Sequence, residues 1–202
     1  MKILIVNIID VGLGNISSIE HWVKRCQHSP KRISSVSQLT NDPIIIPGVA
    51  SAGEYMNRLS SLKLDKEIIS RCQSGQKIIG ICLGFQIMTN FSEEDSGVRC
   101  LGLLNGTAKF FREKGTHNGW EDFKIDTREV KHDVFFPKKR KKKINGRMYF
   151  NHELVVNLEE DLCTHILNNG VTSYAFKNNI FGVQFHPEKS QKTGMDLLNL
   201  II

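Results

Sequence analysis

Three short apolar runs, each separated from the next by a helical pattern, constrain the fold of this chain most. The runs are KILIVNI (residues 2–8), PIIIPG (43–48) and KIIGI (77–81). Strands covered on both faces have continuous apolar sequences, so these runs predict neighbouring strands of a parallel sheet. Helices are predicted at 15–29, 64–75 and 83–91. Asn15 is a suitable N-cap for the first helix, and Gly75 a suitable C-terminal cap for the second.

The second half of the chain has a different pattern. Strand-like segments separated by turn residues occur at 101–111, 146–156, 170–176 and 179–186, and a helical pattern follows at 188–202. We therefore predict an α/β fold with a central, mostly parallel sheet, helices on both faces, and antiparallel strands in the second half. With 202 residues, 40% of them hydrophobic, the chain fits one domain spanning residues 1–202.

One basic run accounts for the net charge of +6. The run KKRKKK at 138–143 holds six of the 27 basic residues, and the remaining 21 match the 21 acidic residues. A solvated loop between two strands is the simplest interpretation, and a contact with an acidic partner or substrate is the alternative. No aromatic residue interrupts the run, so a surface that stacks nucleic-acid bases is not expected.

Several classes of protein are excluded by what the sequence lacks. No apolar run approaches the ~20 residues of a membrane-spanning helix, and no cleavage site follows the N-terminal apolar run. The five cysteines are odd in number and irregularly spaced, which predicts free thiols in a reducing cytoplasm. No cysteine or histidine cluster has zinc spacing, so we expect no metal site and no cofactor.

Cys82 lies between Gly80 and Gly84, where a predicted strand meets a predicted helix. Functional groups of parallel sheets gather at the carboxyl ends of strands. A G-x-C-x-G turn there resembles a nucleophile elbow, in which glycines permit a sharp turn, the side chain stands exposed, and the helix N-terminus favours a thiolate. A buried core cysteine beside two packing glycines explains this stretch equally well.

A base for such a cysteine is available at the end of the apolar run IFGVQF. There His186 is followed by Pro187 and Glu188. Proline favours an extended preceding residue, and an extended H-P-E segment places the imidazole and the carboxylate on the same side. The carboxylate can then fix the tautomer of the imidazole, which accepts the thiol proton. Taken alone, these three residues also fit an ordinary helix start.

The strings GICLGFQIM and GVQFHPEKS together resemble the class I, triad-type glutamine amidotransferases. Within that family, the chain is most similar to the glutaminase subunit of imidazole glycerol phosphate synthase (the HisH type), and the resemblance covers essentially its whole length. The strings that carry this similarity are DVGLGNISSI (10–19), PGVASAGEYM (47–56), HNGWE (117–121), MYFNHE (148–153) and HPEKS (186–190). The resemblance implies the fold of that family and hydrolysis of L-glutamine to glutamate and ammonia.

The resemblance also implies roles for individual residues. Cys82 matches the nucleophile, His186 the base and Glu188 the residue that orients it. The oxyanion of the tetrahedral intermediate would be held by the Leu83 N–H and by the loop at Gly48 and Val49, whose glycine would let a peptide reorient. Gln86 and Glu94 match positions that contact glutamine, although both also fit solvent-facing residues.

A separate partner is implied as well. The chain has no region expected to modify an ammonia acceptor, so a second subunit should receive the ammonia; in the family this is a (β/α)₈-barrel synthase (cyclase). His117, Trp120, Tyr149 and His152 match strings near the active site or the interface. A core tryptophan is an equally good interpretation of Trp120.

Four departures from the family's usual strings favour a diverged copy. They are Ala50, Glu121, Asn151 and Glu153. Such a copy, paired with a barrel subunit, would supply ammonia for an amidino group on a surface sugar instead of for histidine synthesis. Three other interpretations stay open on the sequence: an inactive binding subunit, a cysteine hydrolase with another substrate, and a nucleic-acid binder that uses the basic run at 138–143.

Overall fold

The computed structural model describes residues 3–111, 115–127, 142–160 and 162–202. The helices are α1 (Ile16–Arg25), α2 (Ala52–Ser61), α3 (Leu64–Gln73), α4 (Leu83–Gln86) and α5 (Gln191–Ile201). The strands are β1 (Ile5–Ile9), β2 (Ser29–Ile33), β3 (Ile44–Ile46), β4 (Ile78–Ile81), β5 (Phe91–Ser92), β6 (Val98–Arg99), β7 (Gly106–Phe110), β8 (His117–Asp126), β9 (Lys143–His152), β10 (Leu154–Leu158), β11 (Cys163–Ile166), β12 (Thr172–Lys177) and β13 (Ile180–Val183). Short 3₁₀ turns lie at Val36–Gln38, Glu94–Ser96 and Pro187–Lys189.

The central sheet has seven strands in the order β11-β12-β13-β4-β3-β1-β2. The strands from β13 to β2 run parallel, and β11 and β12 are added antiparallel. Successive side chains of β1 enter different cores. Ile8 packs with α1 and α5 on one face, and Ile9 packs with α2 and α3 on the other. The continuous apolar runs are therefore explained by burial on both faces, and the predicted fold class is confirmed.

Two smaller sheets complete the structure. One has the order β10-β7-β5-β6. The other is a two-stranded ribbon of β8 and β9, paired antiparallel from His117 opposite His152 to Asp126 opposite Lys143. A single bridge between Tyr149 and His186 joins this ribbon to the chain that follows β13. Because the bridge follows β13, the end of the ribbon at His117 and His152 lies near the carboxyl ends of the central parallel strands.

Two predicted elements differ from the observed ones, and several observed elements were not predicted. The helix predicted at 83–91 has only the single turn α4, because its carbonyls are taken by another segment: Leu101 N–H donates to Ile87 O at 2.9 Å and Leu103 N–H to Met88 O at 2.8 Å. The strand predicted at 146–156 is two strands. Its first part pairs with β8 and its second part with β7. The sequence patterns did not predict the helix α2 or the strands β2, β5, β6, β8 and β11.

Only the last two residues of the basic run, Lys142 and Lys143, belong to the described part of the chain. Residues 138–141 lie outside the described part of the chain. Lys142 N–H donates to Thr127 Oγ1 at 2.8 Å, and Lys143 is the first residue of β9, so the end of the run belongs to the ribbon and not to a loop. Across the described ranges, no helix combines the length and apolar character that a membrane crossing requires.

Candidate active site

Cys82 occupies a strained turn between β4 and α4. Its backbone has φ +52° and ψ −109°, a conformation that side-chain-bearing residues rarely adopt. The flanking glycines have ordinary φ values and are needed for space instead. A Cβ on Gly84 would lie 1.9 Å from Ile46 O, and one on Gly80 would lie 2.7 Å from Gly84 O. The glycines therefore permit the sharp turn by leaving space for it, and Cys82 itself carries the strained backbone.

The thiol of Cys82 is not exposed in the way that the elbow pattern predicts. The residue is 7% accessible, and its Sγ lies 3.8 Å from both Asn151 O and Gln184 Nε2. It is reached through a pocket of about 300 Å³ that it helps to line. The core-cysteine interpretation accounts for the burial but not for the strained backbone or the pocket.

His186 and Glu188 form a buried pair beside this pocket. His186 Nδ1 lies 2.8 Å from Glu188 Oε1, and the two side chains are 2% and 0% exposed. Pro187–Lys189 is a 3₁₀ turn, so the predicted extended H-P-E segment is wrong. The turn brings the carboxylate back to the ring nitrogen. The backbone N–H of His186, held by Tyr149 O at 2.8 Å, fixes the residue at the start of that turn.

Opposing effects set the pKa of His186. Burial alone lowers it, because a charged ring loses hydration. The hydrogen bonds to Cys82 and to Glu188, together with their negative charges, outweigh burial and raise the pKa of His186 to about 10. The ring is therefore an imidazolium at neutral pH, held between a sulfur atom and a carboxylate.

Asn15 is a functional candidate that the sequence analysis assigned only to helix capping. It does precede α1, but its side chain makes no cap hydrogen bond. Instead, Asn15 Nδ2 donates to Glu188 Oε1 at 2.5 Å, across 173 residues of sequence. Its location after β1, at the same sheet edge as Cys82 and His186, is the one signal by which the sequence could have indicated this role.

The pocket gathers most of the predicted site. Its lining includes Cys82, His186, Gly48, Val49, Leu83, Gln86, Glu94 and His152. Glu188 lies behind His186, outside the lining. Trp120 and Tyr149 also lie outside it, on the ribbon, with ring centroids 5.7 Å apart.

A cysteine, an imidazolium and a carboxylate at one edge of a parallel sheet are the residues that the family resemblance requires. The profile of the family described as Glutamine amidotransferase class-I matches residues 7–200. The chain belongs to this family. The predicted recognition and enzyme class are thereby confirmed at the level of the family.

Similar proteins agree with that assignment. "Imidazole glycerol phosphate synthase subunit HisH 2" of Methanococcus maripaludis is 35% identical, over 96% of this chain and 97% of the relative. "Imidazole glycerol phosphate synthase subunit HisH" of Methanocaldococcus jannaschii is 36% identical, over 96% of each. In fold, the chain is similar to the solved structure of PurLQS from Thermotoga maritima, with a TM-score of 0.74, 20% identity, and coverage of 100% of this chain and 98% of the other.

The predicted oxyanion donors of this amidotransferase lie together. The backbone N–H groups of Leu83, Gly48 and Val49 donate no hydrogen bond to any residue in the described ranges. The loop at 47–50 is pressed against α4, since a Cβ on Gly48 would lie 2.2 Å from Leu83 Cβ. The side chain of Val49 is 52% exposed. Leu83, Gly48 and Val49 therefore line one pocket with Cys82.

The two predicted glutamine-contact residues are held by the protein itself. Gln86, 4% exposed, donates from Nε2 to Leu154 O at 3.1 Å. Glu94 Oε2 accepts from the N–H of Ala52 at 2.7 Å, so Glu94 caps α2 as well as lining the pocket. Burial raises the pKa of Glu94, and neighbouring carboxylates add to the rise, although the bond to Ala52 opposes it. Neither residue is the solvent-facing group that the sequence also allowed.

The ribbon residues divide into two sets. Trp120 is 38% exposed, so the core-tryptophan interpretation is wrong. Tyr149 donates from its hydroxyl to Asn118 Oδ1 at 2.9 Å on the same outer face. His152 points the other way, is 6% exposed and lines the pocket. The ribbon therefore has an aromatic outer face and contributes to the pocket wall from its inner face.

Proposed function

We propose that this chain is a glutaminase subunit of the imidazole glycerol phosphate synthase type, which hydrolyses L-glutamine and delivers ammonia to a separate synthase subunit. One observation carries the proposal: Cys82, in a strained turn, shares a pocket with His186, and Glu188 binds the far side of that imidazole. The names of the relatives, which match this chain over nearly its full length, support the subunit type. We treat residues 1–202 as one glutaminase domain.

The chemistry follows from the protonation of the pair. His186 accepts the thiol proton of Cys82, whose Sγ attacks the side-chain amide carbon of glutamine. The tetrahedral intermediate collapses as His186 gives its proton to the leaving nitrogen, so ammonia departs and a glutamyl thioester remains. His186 then takes a proton from water, which attacks the thioester, and glutamate and the thiolate are released. Glu188 holds the ring orientation and its positive charge throughout.

Backbone donors complete the site. We assign the oxyanion to the N–H groups of Leu83 and of Gly48 or Val49, which donate to no residue in the described ranges and whose residues line the pocket with Cys82. Losing one such donor typically lowers the rate ~10²-fold or more. Glutamine itself carries an ammonium group, for which the carboxylate of Glu94 is the complementary partner, and Gln86 offers its side-chain carbonyl to the same pocket.

The ammonia must leave through a partner. We propose a (β/α)₈-barrel synthase subunit that covers the outer face of the ribbon around Trp120 and Tyr149, where aromatic side chains stand in solvent. We assign the protein to the cytoplasm, since Cys82 must remain a thiol. Cys26, Cys72, Cys82 and Cys100 are all unpaired in this structure.

Glutamate release by the chain mixed with its synthase subunit tests the proposal. The wild type should release glutamate, Cys82→Ala should release none, and Cys100→Ala, a partly buried cysteine outside the pocket, should match the wild type. Equal release by the wild type and Cys82→Ala would refute an enzymatic role. Hydrolysis of another amide but not of glutamine would refute the assignment of glutamine as the substrate.

The ammonia acceptor is tested by restored growth without histidine in a strain that lacks its own glutaminase subunit. Active glutaminase that fails to restore growth would instead favour a sugar acceptor.

A further inference from the structure

A chain of hydrogen bonds connects the ribbon surface to the pocket. It begins at Glu121, whose Oε1 lies 3.0 Å from His117 Nε2. His117 Nδ1 lies 3.0 Å from His152 Nε2. His152 Nδ1 lies 2.8 Å from Leu154 O, and that same carbonyl accepts from Gln86 Nε2 at 3.1 Å.

Each link in the chain has a fixed direction. Leu154 O only accepts, so His152 must donate from Nδ1. Burial, with the neighbouring His117, lowers the pKa of His152 to about 4, so that ring is neutral and accepts at Nε2. His117 must then donate from Nδ1 to His152 and from Nε2 to the carboxylate of Glu121. Both ring nitrogens of His117 thus face acceptors, and the carboxylate of Glu121 is the charged one.

The two ends of this chain have different exposure. His117 and His152 are 9% and 6% exposed, whereas the side chain of Glu121 is 41% exposed. The two histidines lie directly opposite each other in the ribbon. His117, Gly119 and Glu121 share one face of β8, and the glycine between the other two leaves no side chain in the way. The adjacent carboxylate, Asp122, points to the opposite face, where it is paired loosely with Arg147 at 3.9 Å.

We propose that Glu121 is a positioning residue for the glutamine pocket, which fixes the side chain of Gln86 through His117, His152 and the Leu154 carbonyl. The inference rests on the proposed function, because it assigns Gln86 to glutamine binding. Glu121 is the surface end of the hydrogen-bond chain, and its carboxylate is the acceptor that faces His117 Nε2.

The experiment measures labelling of Cys82 in the full-length chain by a diazoketone analogue of L-glutamine, followed by mass spectrometry. It yields the limiting labelling rate kinact and the half-saturating concentration KI. Glu121→Ala removes the anchor and should raise KI about threefold to tenfold, which corresponds to the loss of one hydrogen-bonded link. Its kinact should stay within about twofold, because the triad is untouched. Asp122→Asn, a matched change on the opposite face, should leave both constants unchanged.

Two further readouts separate positioning from simple loss of structure. Nitrogen-15 NMR of the His117 ring should show protons on both nitrogens in the wild type and on one in Glu121→Ala. Glu121→Gln, which keeps a hydrogen-bonding partner but no charge, should recover part of the KI but not the second ring proton. Unchanged KI in Glu121→Ala, or a fall in kinact equal to the rise in KI, would overturn the proposal. A wild type whose Cys82 is unlabelled, or labelled without protection by glutamine, would refute the glutaminase function instead.

Discussion

Asn15 allows a test that separates helix capping from support of the catalytic pair. Its position before α1 fits an N-cap, yet its side chain donates to Glu188 Oε1 and not to the helix. Asn15→Ser distinguishes the two roles. Serine is as good an N-cap as asparagine, but its hydroxyl is one bond shorter than the amide and does not reach the carboxylate.

The size of the effect follows from the surroundings of Glu188. Its side chain is fully buried, and Oε1 accepts from both Asn15 and His186, whereas Oε2 is buried and bonds to no residue in the described ranges. Loss of Asn15 leaves the carboxylate with a single donor. Hydrogen bonds to charged groups contribute ~1.5–3 kcal/mol, so kinact for the diazoketone should fall about 10-fold to 100-fold. KI should change little, because Asn15 does not line the pocket.

The same labelling assay, combined with thermal unfolding, measures this outcome. Asn15→Ser leaves a good N-cap residue before α1, so a fall in Tm should come only from the lost bond to Glu188; at about 2–4 °C per kcal/mol in a domain of this size, that fall is about 3–12 °C. Wild-type kinact in Asn15→Ser would refute the assignment to Glu188. A fall in Tm with unchanged kinact would show that the bond between Asn15 and Glu188 supports the fold but not the reaction.

Three further outcomes are expected. Gly84→Ala must move α4 more than ~1 Å from Ile46 O, because its Cβ would lie 1.9 Å from that oxygen. The labelling rate of Cys82 should fall about 100-fold, and the free energy of unfolding, measured with urea, should fall by about 1–3 kcal/mol. Because the pKa of His186 is raised to about 10, its stabilising effect is complete below pH ~6.5 and is lost as pH rises through about 10. The excess unfolding free energy of the wild type over His186→Gln should therefore shrink between pH 7 and 10. Glu94→Gln keeps an acceptor for the Ala52 N–H, so Tm should stay within a few degrees, while protection of the thiol by glutamine should weaken about tenfold.

The sequence was sufficient for the parts of the site that depend on strand ends. Continuous apolar strands determine a parallel sheet, and residues that follow its strands meet at one edge. Cys82 and His186 satisfy that rule because β4 and β13 are neighbours, with Ile81 opposite Val183. Local backbone geometry was less predictable. The pattern G-x-C-x-G does not reveal that the cysteine carries the strain, or that its glycines serve close packing against β3.

The contacts that support the site could not be predicted from the periodicity of the sequence. Periodicity relates residues up to four positions apart, whereas Asn15 meets Glu188 across 173 positions and Ala52 meets Glu94 across 42. Such pairs depend on which loops face one another once the sheet order is established. A residue with a sufficient local role, such as an N-cap, gives no sign that its side chain is used elsewhere.

The break at Glu153 links the fold to the pocket most directly. A continuous strand over 146–156 would keep every residue in one ladder. Instead the chain leaves β8 after His152 and joins β7 at Leu154, while Glu153 O accepts from Phe111 N–H at 2.8 Å. This change of partner turns the Leu154 carbonyl toward His152 and Gln86, which both donate to it. A single carbonyl thereby connects the ribbon to α4, so a disturbance at the surface end of β8 has a physical route to the residues beside the sulfur.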